Sequence, residues 1–273
     1  MASFFRNLVI AAAEAGQHPD AIRRMRRDEF EGIVLRGVYD AAECDELCRR
    51  LEAGLHGLLR TDFPSAMRAF FFGMNLNLTP PDLVAYFREA PRFRQQLRQL
   101  FAGIADLETR LAGLMSALDG GRPYLAAPGP APGLDHMFTT LRAHLSGGFI
   151  PPHFDNEQAY RQSYRLIMSQ IGGDLFSFVL AFSSPEAGGE LEVFNLQHEG
   201  RRFRMADGEE DASHLQLEGV ESIRFRLQPG EMIMFNSGRY LHRVNPVVGR
   251  STRWTACSFM SESLDGERVY CWG

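Results

Sequence analysis

The chain is 273 residues long, 45% hydrophobic and 23% charged, with a formal net charge of −5 at pH 7. That composition is ordinary for a globular protein with a large core, and its mild acidity leaves no electrostatic footprint for nucleic acid. All 29 basic residues are arginine, which excludes Schiff-base chemistry, a pyridoxal anchor, a Ser-Lys nucleophile pair and a P-loop lysine.

The four cysteines, Cys44, Cys48, Cys257 and Cys271, form no CxxC and no disulfide pattern. Cys44 and Cys48 read as two buried thiols on one helix. A reducing, cytoplasmic setting is expected, with a small-molecule substrate as partner, neither nucleic acid nor membrane, and the oligomeric state left open. The run LVIAAA near the start is cut short by Glu14, so the segment from Met1 to Gly16 is expected as a helix and not a signal peptide.

In chain order, Asp20 is expected to cap a helix AIRRMRRDEF. A short strand, GIVLRGVY (32–39), follows. Next comes a helix over 41–60, with Cys44, Leu47, Cys48, Leu51, Leu55 and Leu58 at helical spacing. Pro80–Pro81 opens a longer helical stretch, expected to break near Pro91. The segment GGRPYLAAPGPAPG (120–133) carries too many Gly and Pro for a regular element. Beyond it the period changes to two, with strands predicted at 138–145, 175–182, 190–195, 222–227, 231–236 and 253–260. A polar stretch over 199–219 interrupts them and reads as a solvated loop or, alternatively, a lid. The expected fold class is α+β: a double-stranded β-helix (jelly roll) core over 134–273, backed by a mainly helical layer over 1–119, in a single domain.

His153-Phe154-Asp155 follows the strand 138–145. In an extended segment residues i and i+2 point the same way, so one imidazole and one carboxylate face a common point. His242, at the end of another predicted strand, is the third candidate. Two His and one carboxylate on one face of a metal make the site of non-haem Fe(II) oxygenases. His18-Pro19-Asp20 repeats the spacing, but there Asp20 reads as a cap and His18 as a surface residue. Eleven residues past His242, a returning strand puts Arg253, Thr255 and Cys257 on one face. An Arg fork and a hydroxyl there suit the distal carboxylate of a dicarboxylate such as 2-oxoglutarate. Arg142 is a further cofactor-binding candidate, while His144 reads as structural.

The chain resembles the free-standing iron/2-oxoglutarate carbon halogenases of the hapalindole, ambiguine and welwitindolinone alkaloid pathways. The resemblance rests on FEGIVLRGVY (30–39), PDLVAYFREAPRFRQQLRQLFAG (81–103), PEAGGELEVFNL (185–196), PGEMIMFNSGRYLHRV (229–244) and RVYCWG (268–273). It implies a jelly-roll core wrapped by helices, Fe(II) on His153 and His242, and 2-oxoglutarate on Arg253, decarboxylated to succinate with O2 as co-substrate. It also implies a substrate wall in Ala66–Asn77, for which Phe70 and Met74 are the candidates together with Phe154. Those halogenases carry Gly where this chain has Asp155, and the missing carboxylate is what leaves a position for chloride. With His153, Asp155 and His242 all present, the expected reaction is hydroxylation or desaturation of a small hydrophobic natural-product or amino-acid-derived substrate. The alternatives are a peptide or protein hydroxylase and a jelly-roll metal- or ligand-binding module without turnover.

Overall fold

The computed structural model describes residues 4–54, 57–79, 82–198 and 215–273. Two sheets dominate them. The larger has ten strands, and its main path runs Asn7–Ala11, Gly32–Arg36, Met232–Phe235, Phe176–Ala181, Arg253–Glu262, Thr140–His144, Ala69–Phe72 and Arg60–Asp62. Val269–Trp272 pairs with the end of the long strand Arg253–Glu262, and Tyr124–Ala126 pairs with Val269–Trp272. The smaller sheet has four strands in the order Ser222–Phe225, Leu191–Gln197, Tyr240–Val244 and Ile150–His153.

Period-two alternation sorts the large sheet's side chains between two destinations. In Met232–Phe235, Met232 and Met234 enter the core shared with the helices, while Ile233 and Phe235 pack with Leu191, Val193 and Tyr240 of the small sheet. The two sheets therefore face each other, and the helices cover the large sheet's other side. Apolar residues on both faces explain why these strands read as continuous hydrophobic runs.

The helix Ala41–Ala53 begins in a reciprocal capping box: the Asp40 carboxylate accepts from the Glu43 amide at 2.8 Å, and Glu43 accepts from the Asp40 amide at 2.9 Å. It ends at Gly54, whose left-handed φ of 69° suits glycine. The expected break at Pro91 does not occur. Val84–Leu100 runs through it as one helix, because Pro91 faces solvent while Tyr86, Phe87, Ala90, Phe93 and Leu97 bury the opposite face. The chain turns only before Asp106, whose carboxylate caps Leu107–Leu118 through the Thr109 amide.

Two other expectations fail at the N-terminal end. The segment before Gly16 contains the strand Asn7–Ala11, parallel to Gly32–Arg36, followed by a 3-10 turn over Ala12–Gln17. An apolar run at a sheet edge gains main-chain partners there that a short isolated helix lacks. Asp20 precedes the short helix Ala21–Arg26 but accepts no amide, and its backbone (φ −118°, ψ 4°) lies outside the extended region a capping residue adopts. The stretch 199–214 lies outside the described residues. Leu215, Leu217 and Val220 pack against a small cluster of Phe154, Phe194 and Leu241.

Replacing Asp40 with Ala should lower stability by about 1 kcal/mol in urea unfolding, because the Glu43 amide loses its side-chain acceptor while the backbone amide of residue 40 can still donate to Glu43.

Candidate metal and co-substrate site

Where the sheets face each other, two strands of the small sheet bring two histidines together. Ile150–His153 and Tyr240–Val244 are antiparallel, with His153 directly opposite His242. Their ring centroids lie 4.2 Å apart. Asp155 opens the 3-10 turn Asp155–Tyr160, and its amide donates to the Ser237 carbonyl at 3.1 Å. That bond ties the carboxylate's chain segment to the loop before the second histidine's strand.

Asp155 Oδ1 lies 3.6 Å from His153 Nε2 and 3.8 Å from His242 Nε2. These separations are too long for hydrogen bonds and suit donors sharing an ion at roughly 2.1 Å from each. Asp155 is 1% exposed, and its Oδ1 has no hydrogen-bond partner. A buried carboxylate oxygen without a partner is costly unless something cationic completes it. Each imidazole Nδ1 meets a main-chain carbonyl two residues earlier: Pro151 at 2.8 Å for His153 and Tyr240 at 3.0 Å for His242. With Nδ1–H donating, each Nε2 lone pair is left for a metal. Burial, followed by the neighbouring His153, pushes the His242 pKa down to about 4, so it stays neutral at physiological pH. The donor set fits a divalent transition metal. His18 and Asp20, which share the His-x-Asp spacing, form no such group with any third described residue.

The large-sheet residues that face this group across a cavity of about 40 Å³ include Arg142, His144, Arg253 and Cys257. Strand alternation sets the direction of all four. Leu141, Ala143, Trp254 and Ala256 enter the helix-side core, so their neighbours point the other way. Register then makes Arg253 the partner of His144, and Thr255 the partner of Arg142. Arg253 is 5% exposed; burial lowers its pKa from 12.5 to about 10, and it remains cationic. Thr255 is buried on the same face without lining the cavity, and its Oγ1 lies 3.7 Å from Cys257 Sγ. Arg142 Nε has no hydrogen-bond partner, and the guanidinium lies 5.8 Å from the Phe259 ring centroid.

A second cavity, of about 260 Å³, shares Arg142, Ile150, His153 and Phe259 with the first. Its far walls include Phe63, Met67, Asn75, Asn77, Glu157 and Gln158. The segment Ala66–Asn77 therefore does reach this space, but through residues other than those expected. Phe70 pairs with Ala143 on the helix-side face, with its ring 5.7 Å from that of Trp254. Met74 packs against the same core. Phe154 lies between two residues that face the site, so alternation turns it away, and it is fully buried against Phe194 and Leu241. Glu157 and Gln158 escaped the sequence reading because a 3-10 turn follows neither the helical nor the strand period.

Replacing Phe70 with Ala should cost about 3 kcal/mol of stability in denaturant unfolding and leave metal affinity, measured by calorimetry, as in the wild type. For His242, the unfolded chain binds more protons than the folded one between pH 6.5 and about 4. Its contribution to the stability of metal-free protein is thus full above this window and is lost as pH falls through it. Replacing His242 with Gln should flatten that part of the stability–pH curve.

No curated protein sequence matches the chain. Two solved structures of an N-substituted L-amino acid dioxygenase from Burkholderia ambifaria AMMD resemble it in fold. Each is 19% identical over 92% of this chain and 90% of that one; the TM-score is 0.55 for the complex with alpha-KG and 0.57 for the other. The family model of the carrier-protein-independent halogenase WelO5 matches residues 4–273. With a match over nearly its whole length, the chain belongs to the WelO5 family.

Proposed function

We propose that this protein is an Fe(II)- and 2-oxoglutarate-dependent oxygenase that hydroxylates an aliphatic C–H bond of a small, largely apolar substrate. The observation that carries this reading is the Asp155 carboxylate, which converges with His153 Nε2 and His242 Nε2 on one point. In the halogenases that the sequence resembles, that carboxylate is absent and halide takes its place. Here Asp155 fills the position, which favours oxygen transfer over halogen transfer within the same family. The two facing sheets are read as a double-stranded β-helix holding the site between them.

Iron with 2-oxoglutarate and O2 supplies the oxidising power for an unreactive C–H bond, with succinate and CO2 as co-products. The chain's own residues do the rest. His153, Asp155 and His242 would hold the metal. Arg253 is a buried cation within the same cavity, suited to the distal carboxylate of the co-substrate. Arg142 and Phe259 line both cavities and would separate a co-substrate in the first from a substrate in the second. The apolar part of the larger cavity, including Phe63, Met67 and Ile150, would exclude water from the reacting bond, while the Asn75, Asn77 and Gln158 amides offer polar contacts that orient it.

Succinate release from 2-oxoglutarate, with Fe(II) in air and a panel of apolar amines, alkaloids and N-substituted amino acids, tests this reading. Product masses should show added oxygen even when chloride is present. Asp155→Ala and Arg253→Leu should each reduce turnover by more than the roughly 10- to 100-fold typical of losing an outer-shell partner, with melting temperatures close to wild type. Chlorinated product from the wild-type enzyme would overturn the assignment.

A further inference from the structure

His144 is 1% exposed, lines the metal cavity, and has no hydrogen-bond partner at either ring nitrogen. It is not one of the three grouped donors. A buried imidazole with both polar atoms unsatisfied is an unfavourable arrangement that a folded chain rarely keeps without a ligand to complete it. The surroundings identify the ligand. On one side His144 is directly opposite Arg253, and on the other it is opposite Ala69, which offers no polar side chain. Directly opposed residues of an antiparallel pair bring their side chains together on one face, so the imidazole and the Arg253 guanidinium share one part of the cavity. Burial and the two neighbouring guanidiniums, Arg253 and Arg142, hold His144 neutral. A neutral imidazole still carries one N–H donor.

We propose that His144 is a second anchor for the co-substrate, donating a ring N–H to the same distal carboxylate that Arg253 pairs with. This rests on the co-substrate reading above. The carboxylate has more acceptor positions than a single guanidinium fork fills, and His144 supplies a donor from the adjacent strand. His144 is thus a positioning residue that selects a dicarboxylate over a 2-oxo acid lacking the second carboxyl group.

The test is calorimetric titration of Fe(II)-loaded protein under anaerobic conditions with 2-oxoglutarate, and with 2-oxopentanoate, which keeps the chain and ends in a methyl group. His144→Ala should weaken 2-oxoglutarate binding by roughly 10- to 100-fold, the range for a hydrogen bond to a charged group. His144→Gln, which retains an N–H donor, should recover much of it. Binding of 2-oxopentanoate should be nearly the same in His144→Ala and wild type. Equal 2-oxoglutarate affinity in His144→Ala and wild type, with Arg253→Leu still impaired, would overturn the role of His144 and leave the oxygenase reading standing. Equal losses for both ligands would make His144 structural and overturn it likewise. Failure of the wild type to bind 2-oxoglutarate at all would overturn the co-substrate reading itself. Should His144→Ala not fold, His144→Met, which fills the space but has no N–H donor, is compared with His144→Gln at matched melting temperature.

Discussion

The pairing of His153 with His242 across two antiparallel strands is the constraint on which the site depends. Strand geometry puts opposed side chains on one face, and a slip of one residue would turn each to the other face. Several apolar contacts hold the sheets at this spacing. Val193 pairs with His242 on its other side and packs with Ile233 and Phe235 of the large sheet. The Phe235 ring lies 5.1 Å from that of His242 in an edge-on contact. The alternation that carries apolar residues into two cores leaves a polar strip between them, and that strip holds the chemistry.

The strip is electrostatically lopsided. Asp155 faces it from the turn that follows the small sheet's His153 strand, while Arg142, His144 and Arg253 face it from the large sheet, His144 directly opposite Arg253. No described carboxylate forms an ion pair with Arg253. Elsewhere this chain pairs buried carboxylates generously: Glu192, 1% exposed, receives hydrogen bonds from Ser222, Arg224 and Arg243. Burial disfavours its charge, but these bonds outweigh that and leave its pKa lowered. The contrast between a fully satisfied carboxylate behind the site and incompletely satisfied groups within it separates structure from function. Charge left uncompensated in a low-dielectric space is costly to fold around, and a di-anion together with a metal cation would complete it.

Much of this was legible in the sequence. Period two located the principal strands, and the i, i+2 rule joined His153 to Asp155 and Arg253 to Cys257. Phe70 was not legible, because AFFF (69–72) is buried throughout and offers no polar residue to mark its faces. Only the pairing of Phe71 with Arg142 sets which aromatic points where. Alternation, which points His153 and Asp155 to one side, turns the intervening Phe154 toward Phe194 and Leu241. His144 could have been found too, since it stands two residues beyond Arg142 on one strand. What marks it is the absence of partners, which a sequence does not display. The edge strand Asn7–Ala11 depends on pairing with residues 25 positions away, and local pattern does not contain that.

Both imidazoles are oriented by carbonyls of their own strands, two residues upstream, and not by a neighbouring carboxylate or amide side chain. Their orientation is therefore encoded in main-chain geometry. The larger cavity draws its far walls from other segments, around Phe63–Leu78 and Glu157–Arg161. This separation gives the scaffold an evolutionary freedom: replacements in those far walls need not disturb the imidazole orientations set by Pro151 and Tyr240. A lineage built this way can reshape the cavity by drift in those segments while inheriting the paired histidines intact.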